Sequence, residues 1–301
     1  MSYLTAPIAI DASVLAHLSP DTAACLLTGQ RLTLPGPMVW HAWGPNEGPV
    51  IVLLHGGSGS WMHWIRNIAP LVSAGHRVLA VDLPGFGDSA EPLTGGDVDA
   101  LIEPLHAAWQ LLKPAQVNTT FVGFSFGGMT AALWLAAYPE DAQNLVMVGS
   151  PGLGLTTPDR IRLKGWRHLP TEAQQAEAHR HNLMALMLQH EESLDPLALA
   201  VHAANVVRDR MPRRRLSSTP IVAEALPRIH CPLHVIFGEH DALYKGRWPE
   251  VEALFKTKTP HLASWQRVPD AGHWVQYECV EAFQLALLAC TADTAALRPS
   301  K

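Results

Sequence analysis

The stretch Thr119-Thr120-Phe121-Val122-Gly123-Phe124-Ser125-Phe126-Gly127-Gly128 decides the fold. Thr119 to Val122 is a short apolar run of strand length, and Met129 to Tyr138 has the length of a helix. Between them stands G-x-S-x-G. On a strand-to-helix turn this pattern has a physical reason. The serine takes a strained backbone conformation that pushes its Oγ out of the sheet. Small residues at 123 and 127 let the neighbouring backbone approach closely. The Phe126 amide, at the start of the helix, then points toward any negative charge that develops beside the serine. A Gly-rich turn with an incidental serine is the simpler reading of the bare pattern. The strand before and the helix after argue against it.

The same rhythm extends in both directions. Strand-length apolar runs occur at Val50 to Leu54, Val78 to Val81, Leu145 to Val148, His234 to Phe237 and Trp265 to Val268. Helical stretches such as Val98 to Leu112 lie between them. Unalternated apolar strands separated by helices indicate a mostly parallel sheet flanked by helices on both faces. Met38 to Trp43 reads as an earlier strand, joined through the turn Gly44 to Gly48. The rhythm breaks between about Pro151 and Ala225, which holds no convincing strand and reads as several helices. The expected class is therefore α/β. Residues 1–150 and 226–301 form the core, and 151–225 form an inserted helical cap.

Three more segments carry chemistry. His55-Gly56-Gly57-Ser58-Gly59-Ser60-Trp61 follows the Val50 to Leu54 strand, and its glycines allow a backbone amide to face a ligand. Gly57 is the chosen second oxyanion donor, with Ser58 as the competing neighbour. A phosphate loop is excluded, because G-x-x-x-x-G-K-[ST] is absent. Asp241 follows the strand that ends at Phe237, and His273 follows the one that ends at Val268. Ser125, Asp241 and His273 thus all sit after carboxyl ends of strands, where an open α/β sheet forms its ligand crevice. Their order along the chain is that of a Ser–Asp–His triad. Asp195, in the cap, is an alternative acid in the wrong segment.

Composition removes other classes. The 301 residues are 48% hydrophobic with a formal net charge of −5, which excludes a disordered chain and argues against a nucleic-acid partner. Four dispersed cysteines form no CxxC pair, so free thiols are expected. With no basic-then-apolar leader and no membrane-length apolar run, the expectation is a soluble cytoplasmic protein without a membrane partner. No metal and no cofactor are expected: His179 and His181 diverge around a helix, and no H-E-x-x-H is present. Arg213-Arg214-Arg215 reads first as a solvated cap surface and second as a carboxylate-steering patch. Trp61, Trp64 and Trp166 fit an acyl pocket or the core equally well. Leu183, Met184, Leu186, Met187 and Leu188 must face the core or a substrate. The partner is a small-molecule substrate, with a homodimer left open.

The chain resembles the α/β-hydrolase superfamily over essentially its whole length. The resemblance rests on His55-Gly56-Gly57, Asp82-Leu83-Pro84-Gly85-Phe86-Gly87-Asp88-Ser89, Gly123 to Gly128, Gly238-Glu239-His240-Asp241 and Gly272-His273-Trp274. It implies the α/β-hydrolase fold, with the cap inserted after the sixth strand. Within the superfamily the chain is most similar to the capped meta-cleavage-product hydrolases and their esterase relatives. Arg66-Asn67-Ile68 and Gly272 to Glu278 carry that closer likeness. Those enzymes cleave carbon–carbon bonds in vinylogous diketo acids and place a tryptophan after the histidine, matched here by Trp274. Phe124 stands where they have an asparagine before the nucleophile, and His63 replaces a second asparagine. Arg208 and Arg210 are candidates for their substrate-binding cap arginine. Trp274, His63, Phe124, Arg208 and Arg210 are thus the substrate-binding candidates.

Two lost polar contacts shift the expectation to an ester, lactone or amide hydrolase acting on a small, largely hydrophobic substrate. Ser125 attacks, His273 is the base, Asp241 orients it, and the amides of Phe126 and Gly57 hold the oxyanion. Carbon–carbon hydrolysis and a non-enzymatic small-ligand receptor are the alternatives.

Overall fold

The computed structural model describes residues 3–114, 117–155 and 161–296. The strands are β1 (Leu4–Pro7), β2 (Gln30–Leu34), β3 (Met38–Trp43), β4 (Val50–Leu54), β5 (Arg77–Val81), β6 (Thr119–Phe124), β7 (Asn144–Val148), β8 (Leu233–Gly238) and β9 (Leu262–Val268). They form one sheet in the order β1-β2-β3-β5-β4-β6-β7-β8-β9. β1, β2, β3 and β5 pair antiparallel, and every pair from β5 to β9 is parallel.

The mostly parallel sheet is the one expected, but its strand count is larger. β7 is the seventh strand in the chain, where the resemblance implied the sixth: β1 and β2 precede the five read from the sequence up to that point. β1 is exposed throughout and contains a proline, while β2 is buried only at alternate residues. Neither shows the continuous apolar run that marks a strand covered on both faces.

Alternation of side chains divides the core into two layers. Val52 and Leu54 pack on one face with Phe121, Trp109, Trp134 and Phe255. Ile51 and Leu53 pack on the other with Trp64, Leu71, Phe283 and Leu287. The helix Phe126–Ala137 is buried on nearly every side, consistent with its almost continuous apolar sequence.

Between β7 and β8 the described residues form helices joined by turns and irregular segments, with no strand; 156–160 of the expected cap lie outside them. Glu172–Asn182 runs into a π-helical turn, Leu183–Met187, and Pro196–Val206 follows. Thr171 and Asp195 cap the two longer helices by accepting the amides of Gln174 and Ala198. Asp195 is thus a capping residue and not a triad acid. It also accepts the Tyr277 hydroxyl at 2.6 Å and pairs with Arg66, docking its helix on the core. The chain re-enters the core at Ile221–Ala225, where Val222 and Leu226 join the layer containing Met129.

Trp134 tests this packing. It is fully buried, stands edge-on to Phe121 at 4.8 Å and donates its indole N–H to Asp141 at 2.9 Å. Trp134→Ala is expected to cost about 3–5 kcal/mol, read by urea denaturation. A loss below about 1 kcal/mol would contradict the packed layer.

Candidate active site

The chain leaves β4 to one side to form β5 and returns on the other side as β6. This reversal opens a crevice at the carboxyl ends of the two adjacent strands. The His55–Ser60 loop follows β4, Ser125 follows β6, Asp241 follows β8 and His273 follows β9.

Ser125 sits in the left-handed region, with φ 51° and ψ −116°, and its N–H donates to the Val148 carbonyl at 2.7 Å. The flanking glycines have a steric cause. A Cβ on Gly123 would lie 2.4 Å from the Gly127 carbonyl oxygen, and one on Gly127 would lie 2.3 Å from that of Leu54. Any side chain there would separate the elbow from β4.

Asp241 is fully buried; its Oδ1 accepts the Leu243 amide at 2.9 Å and its Oδ2 contacts His273 Nδ1 at 2.8 Å. A carboxylate only accepts, so Nδ1 carries the proton. His273 Nε2 is then the acceptor for the Ser125 hydroxyl, at 2.9 Å. Gly149, with φ 55°, lets the end of β7 pass close by: a Cβ there would lie 3.1 Å from the His273 ring. The sequence reading overlooked Gly149, although its place directly after a strand was a usable signal.

The loop after β4 is held by neutral imidazoles. His55 donates from Nδ1 to the Gly56 carbonyl at 2.7 Å and accepts the Leu83 amide at Nε2, 3.0 Å away. Burial lowers its pKa, which suits that neutral, two-sided bonding. His63 accepts the Gly56 amide at Nδ1, at 3.2 Å, which puts its proton on Nε2. Burial first, and the nearby imidazoles of His55, His202 and His273 next, hold its pKa well below the usual range. The Gly59 amide bonds back to the Gly56 carbonyl. Among the described residues, the Gly57 and Ser58 amides have no acceptor, so the loop presents the two donors weighed from the sequence. A Cβ on Gly57 would lie 3.8 Å from that of Phe126, so the loop faces the elbow helix.

A profile of the α/β hydrolase fold matches residues 49–201. The chain belongs to the α/β-hydrolase family. Among curated relatives of this α/β-hydrolase, the dihydrolipoyllysine-residue acetyltransferase component of the acetoin cleaving system from Pseudomonas putida is 30% identical over 262 residues. That match covers 83% of this chain but only 65% of the relative's length. A 2-hydroxy-6-oxo-6-phenylhexa-2,4-dienoate hydrolase from Burkholderia cepacia is 26% identical, covering 81% of this chain and 87% of its own. Among solved structures, carboxylesterase CesB from Bacillus subtilis superposes with a TM-score of 0.70 at 23% identity, covering 85% of this chain and 87% of that one.

Two cavities adjoin the site of this α/β-hydrolase. The outer one, about 460 Å³, reaches His273 and is lined by Met184, Leu186, His240 and Lys245. The inner one, about 220 Å³, is lined by Gly57, Ser58, His63, Trp166, Met187 and His202. His63 is therefore a cavity residue, as expected. Trp166 lines the cavity, whereas Trp61 and Trp64 belong to the core.

Four substrate-binding candidates require correction. Trp274 is fully buried and lines neither cavity: its indole N–H donates to the His63 carbonyl at 3.0 Å and its ring stacks on Tyr277. Phe124 is equally buried, packed against His63 and His273. Arg208 binds Asp88 at 3.0 Å and the Ala204 carbonyl at 3.1 Å. Arg210 donates to the carbonyls of Gly87 and Ser89. Both guanidinium groups dock the helical segment onto the 82–89 loop and are not turned to a ligand. Arg214, in the run read first as a solvated cap surface and second as a carboxylate-steering patch, also lies beside the site. Its guanidinium lies 4.9 Å from the Phe86 ring centre and 5.5 Å from that of Phe126.

Asp82 anchors the loop from below. It accepts the Trp61 amide at 2.9 Å and the Asp88 amide at 3.0 Å. Burial raises its pKa, but the hydrogen bonds from His41 and from the Asp88 amide outweigh it and lower it to about 2. A carboxyl lowered in the folded state stabilises above its unfolded pKa, and that stability disappears as pH falls from about 4 to about 2. The contribution at neutral pH is about 2 kcal/mol. Asp82→Asn should therefore trail the parent in denaturant midpoint at pH 7, with the gap closing across that acid window. A constant gap from pH 7 to 2 would remove the linkage.

Proposed function

We propose that this α/β-hydrolase is a serine hydrolase that cleaves an ester, lactone or amide of a small, largely hydrophobic substrate through an acyl-enzyme. The observation that carries the reading is the hydrogen-bond chain from Ser125 through His273 to Asp241. His273 Nε2 takes the hydroxyl proton as Ser125 attacks the carbonyl carbon. Asp241 stabilises the imidazolium and keeps its ring in place. The Phe126 amide and the Gly57 amide bind the oxyanion, each contributing about 3 kcal/mol to the transition state. The tetrahedral intermediate collapses as His273 returns the proton to the leaving group. Water then attacks the acyl-enzyme, with the same imidazole as base.

The segment between β7 and β8 acts in this reading as the lid that selects substrates. Met184, Leu186, Met187 and Trp166 give the cavities mainly apolar walls, and flexible methionines accept varied shapes. Carbon–carbon hydrolysis is the second reading, favoured by the relative named for a dienoate substrate. Against it, Arg208 and Arg210 are both engaged within the protein.

A fluorophosphonate should modify the parent protein once, at Ser125, and leave Ser125→Ala unmodified. In the same variant p-nitrophenyl ester turnover is expected to fall at least about a thousandfold with the fold intact by circular dichroism. Near-parental turnover by Ser125→Ala would overturn the nucleophile. A faster rate with a dienoate diketo acid than with any ester, lactone or amide would transfer the proposal to the second reading. Asp241→Asn should fold yet lose most turnover, because the imidazole would be held in the wrong tautomer. Asn at 241 with parental kcat would show that the acid lies elsewhere.

A further inference from the structure

Two hydroxyls bracket Gly59 in the loop after β4, and both are tied to the segment that covers the site. Ser58 donates to Asp209 Oδ2 at 2.5 Å, and Ser60 donates to Asn205 Oδ1 at 2.6 Å. Asp209 is gripped in turn by Arg214, whose Nη1 and Nη2 reach its two oxygens at 2.9 and 3.0 Å. Arg214 Nη2 also donates to Ser58 Oγ at 3.2 Å. The Met211 amide completes the carboxylate's partners at 2.9 Å. Ser58 thus closes a ring of hydrogen bonds with one carboxylate and one guanidinium.

This ring holds a conformation that the loop resists. Ser58 has φ 53°, a left-handed backbone in a residue that carries a side chain. Such a geometry persists only where the surroundings over-determine it. Gly57 is its immediate neighbour, and a Cβ on Gly57 would lie 3.6 Å from Arg214 Nη2. The guanidinium's charge is balanced by Asp209, so its role here is to fix geometry and not to receive an anionic substrate.

We propose that Asp209 and Arg214 are positioning residues: through Ser58 they hold the Gly57 amide at the oxyanion position, so the hole is complete only while the 205–214 segment is docked. The inference rests on the acyl-enzyme reading above. It makes the lid part of the transition-state binding site as well as a cover. A loop released from this ring would still admit substrate through the outer cavity, whose walls include neither Ser58 nor Asp209. It would lose the donor that acts only as charge develops on the carbonyl oxygen.

The test separates transition-state from ground-state binding. For Asp209→Ala with p-nitrophenyl butyrate, kcat should fall by about 10- to 100-fold while KM stays within about threefold. The ketone 1,1,1-trifluoropentan-2-one, whose serine adduct carries an oxyanion, should bind at least about tenfold more weakly. Butyrate, which makes no adduct, should keep its affinity within about twofold. Ser58→Ala should show the same pattern, and the double variant should be no worse than Asp209→Ala. Ser58→Ala alone carries the test where Asp209→Ala does not fold. Unchanged kcat, or equal weakening of ketone and butyrate, overturns the proposal while leaving the triad standing. A parent protein that fluorophosphonate does not label at Ser125 overturns both.

Discussion

The approach of Gly127 to the Leu54 carbonyl is the constraint on which the site depends. With a hydrogen in place of a Cβ, the first turn of the elbow helix rests on the end of β4. That contact brings the loop after β4 within reach of the helix N-terminus: a Cβ on Gly57 would lie 3.8 Å from that of Phe126. It also lifts Ser125 clear of the sheet in a left-handed conformation that packing on all sides maintains. The same spatial economy recurs at Gly149, where absence of a side chain admits the His273 ring and the Asp241 carboxylate.

Charge is handled differently on the two sides of the serine. On one side, Asp241 is a buried carboxylate with each oxygen given a donor, one of them the His273 imidazole. On the oxyanion side, His55 and His63 are buried and neutral, each acting as a hydrogen-bond strut for backbone. Neutral struts fix the backbone of this loop without adding a charge to it. Asp82 lies one layer beneath, where its charge meets the Trp61 and Asp88 amides and not the reaction centre.

The helical segment over the sheet is docked by polar groups at its ends and by Leu183, Leu197 and Val201, which join the core layer of Trp64 and Phe283. Asp195 joins Arg66 and Tyr277 at one edge; Arg208, Arg210 and Asp209 join the 82–89 and 55–60 loops at the other. The middle of the segment, around Met184 and Met187, turns apolar side chains to the cavities.

The amino-acid order alone determined the parallel core and singled out Ser125, Asp241 and His273, which the fold brings into one hydrogen-bonded chain. Continuous apolar runs announce strands buried on two faces, and glycines at 123 and 127 announce a turn too tight for side chains. It also pointed to Gly57 and Ser58, although choosing between adjacent amides needs their directions. Tertiary structure decided what depends on partners distant in the chain. Phe124 and Trp274 adjoin triad residues in sequence, yet packing buries them completely. Arg208 and Arg210 look free as letters but meet carboxylate and carbonyl oxygens contributed by residues 87–89 and 204. Arg214 looks like one of three solvated cations, and only the fold lays it against Phe86, Phe126 and Ser58. Local pattern encodes backbone conformation and burial period; the partner of a long, flexible charged side chain is set by which loops the sheet topology brings together.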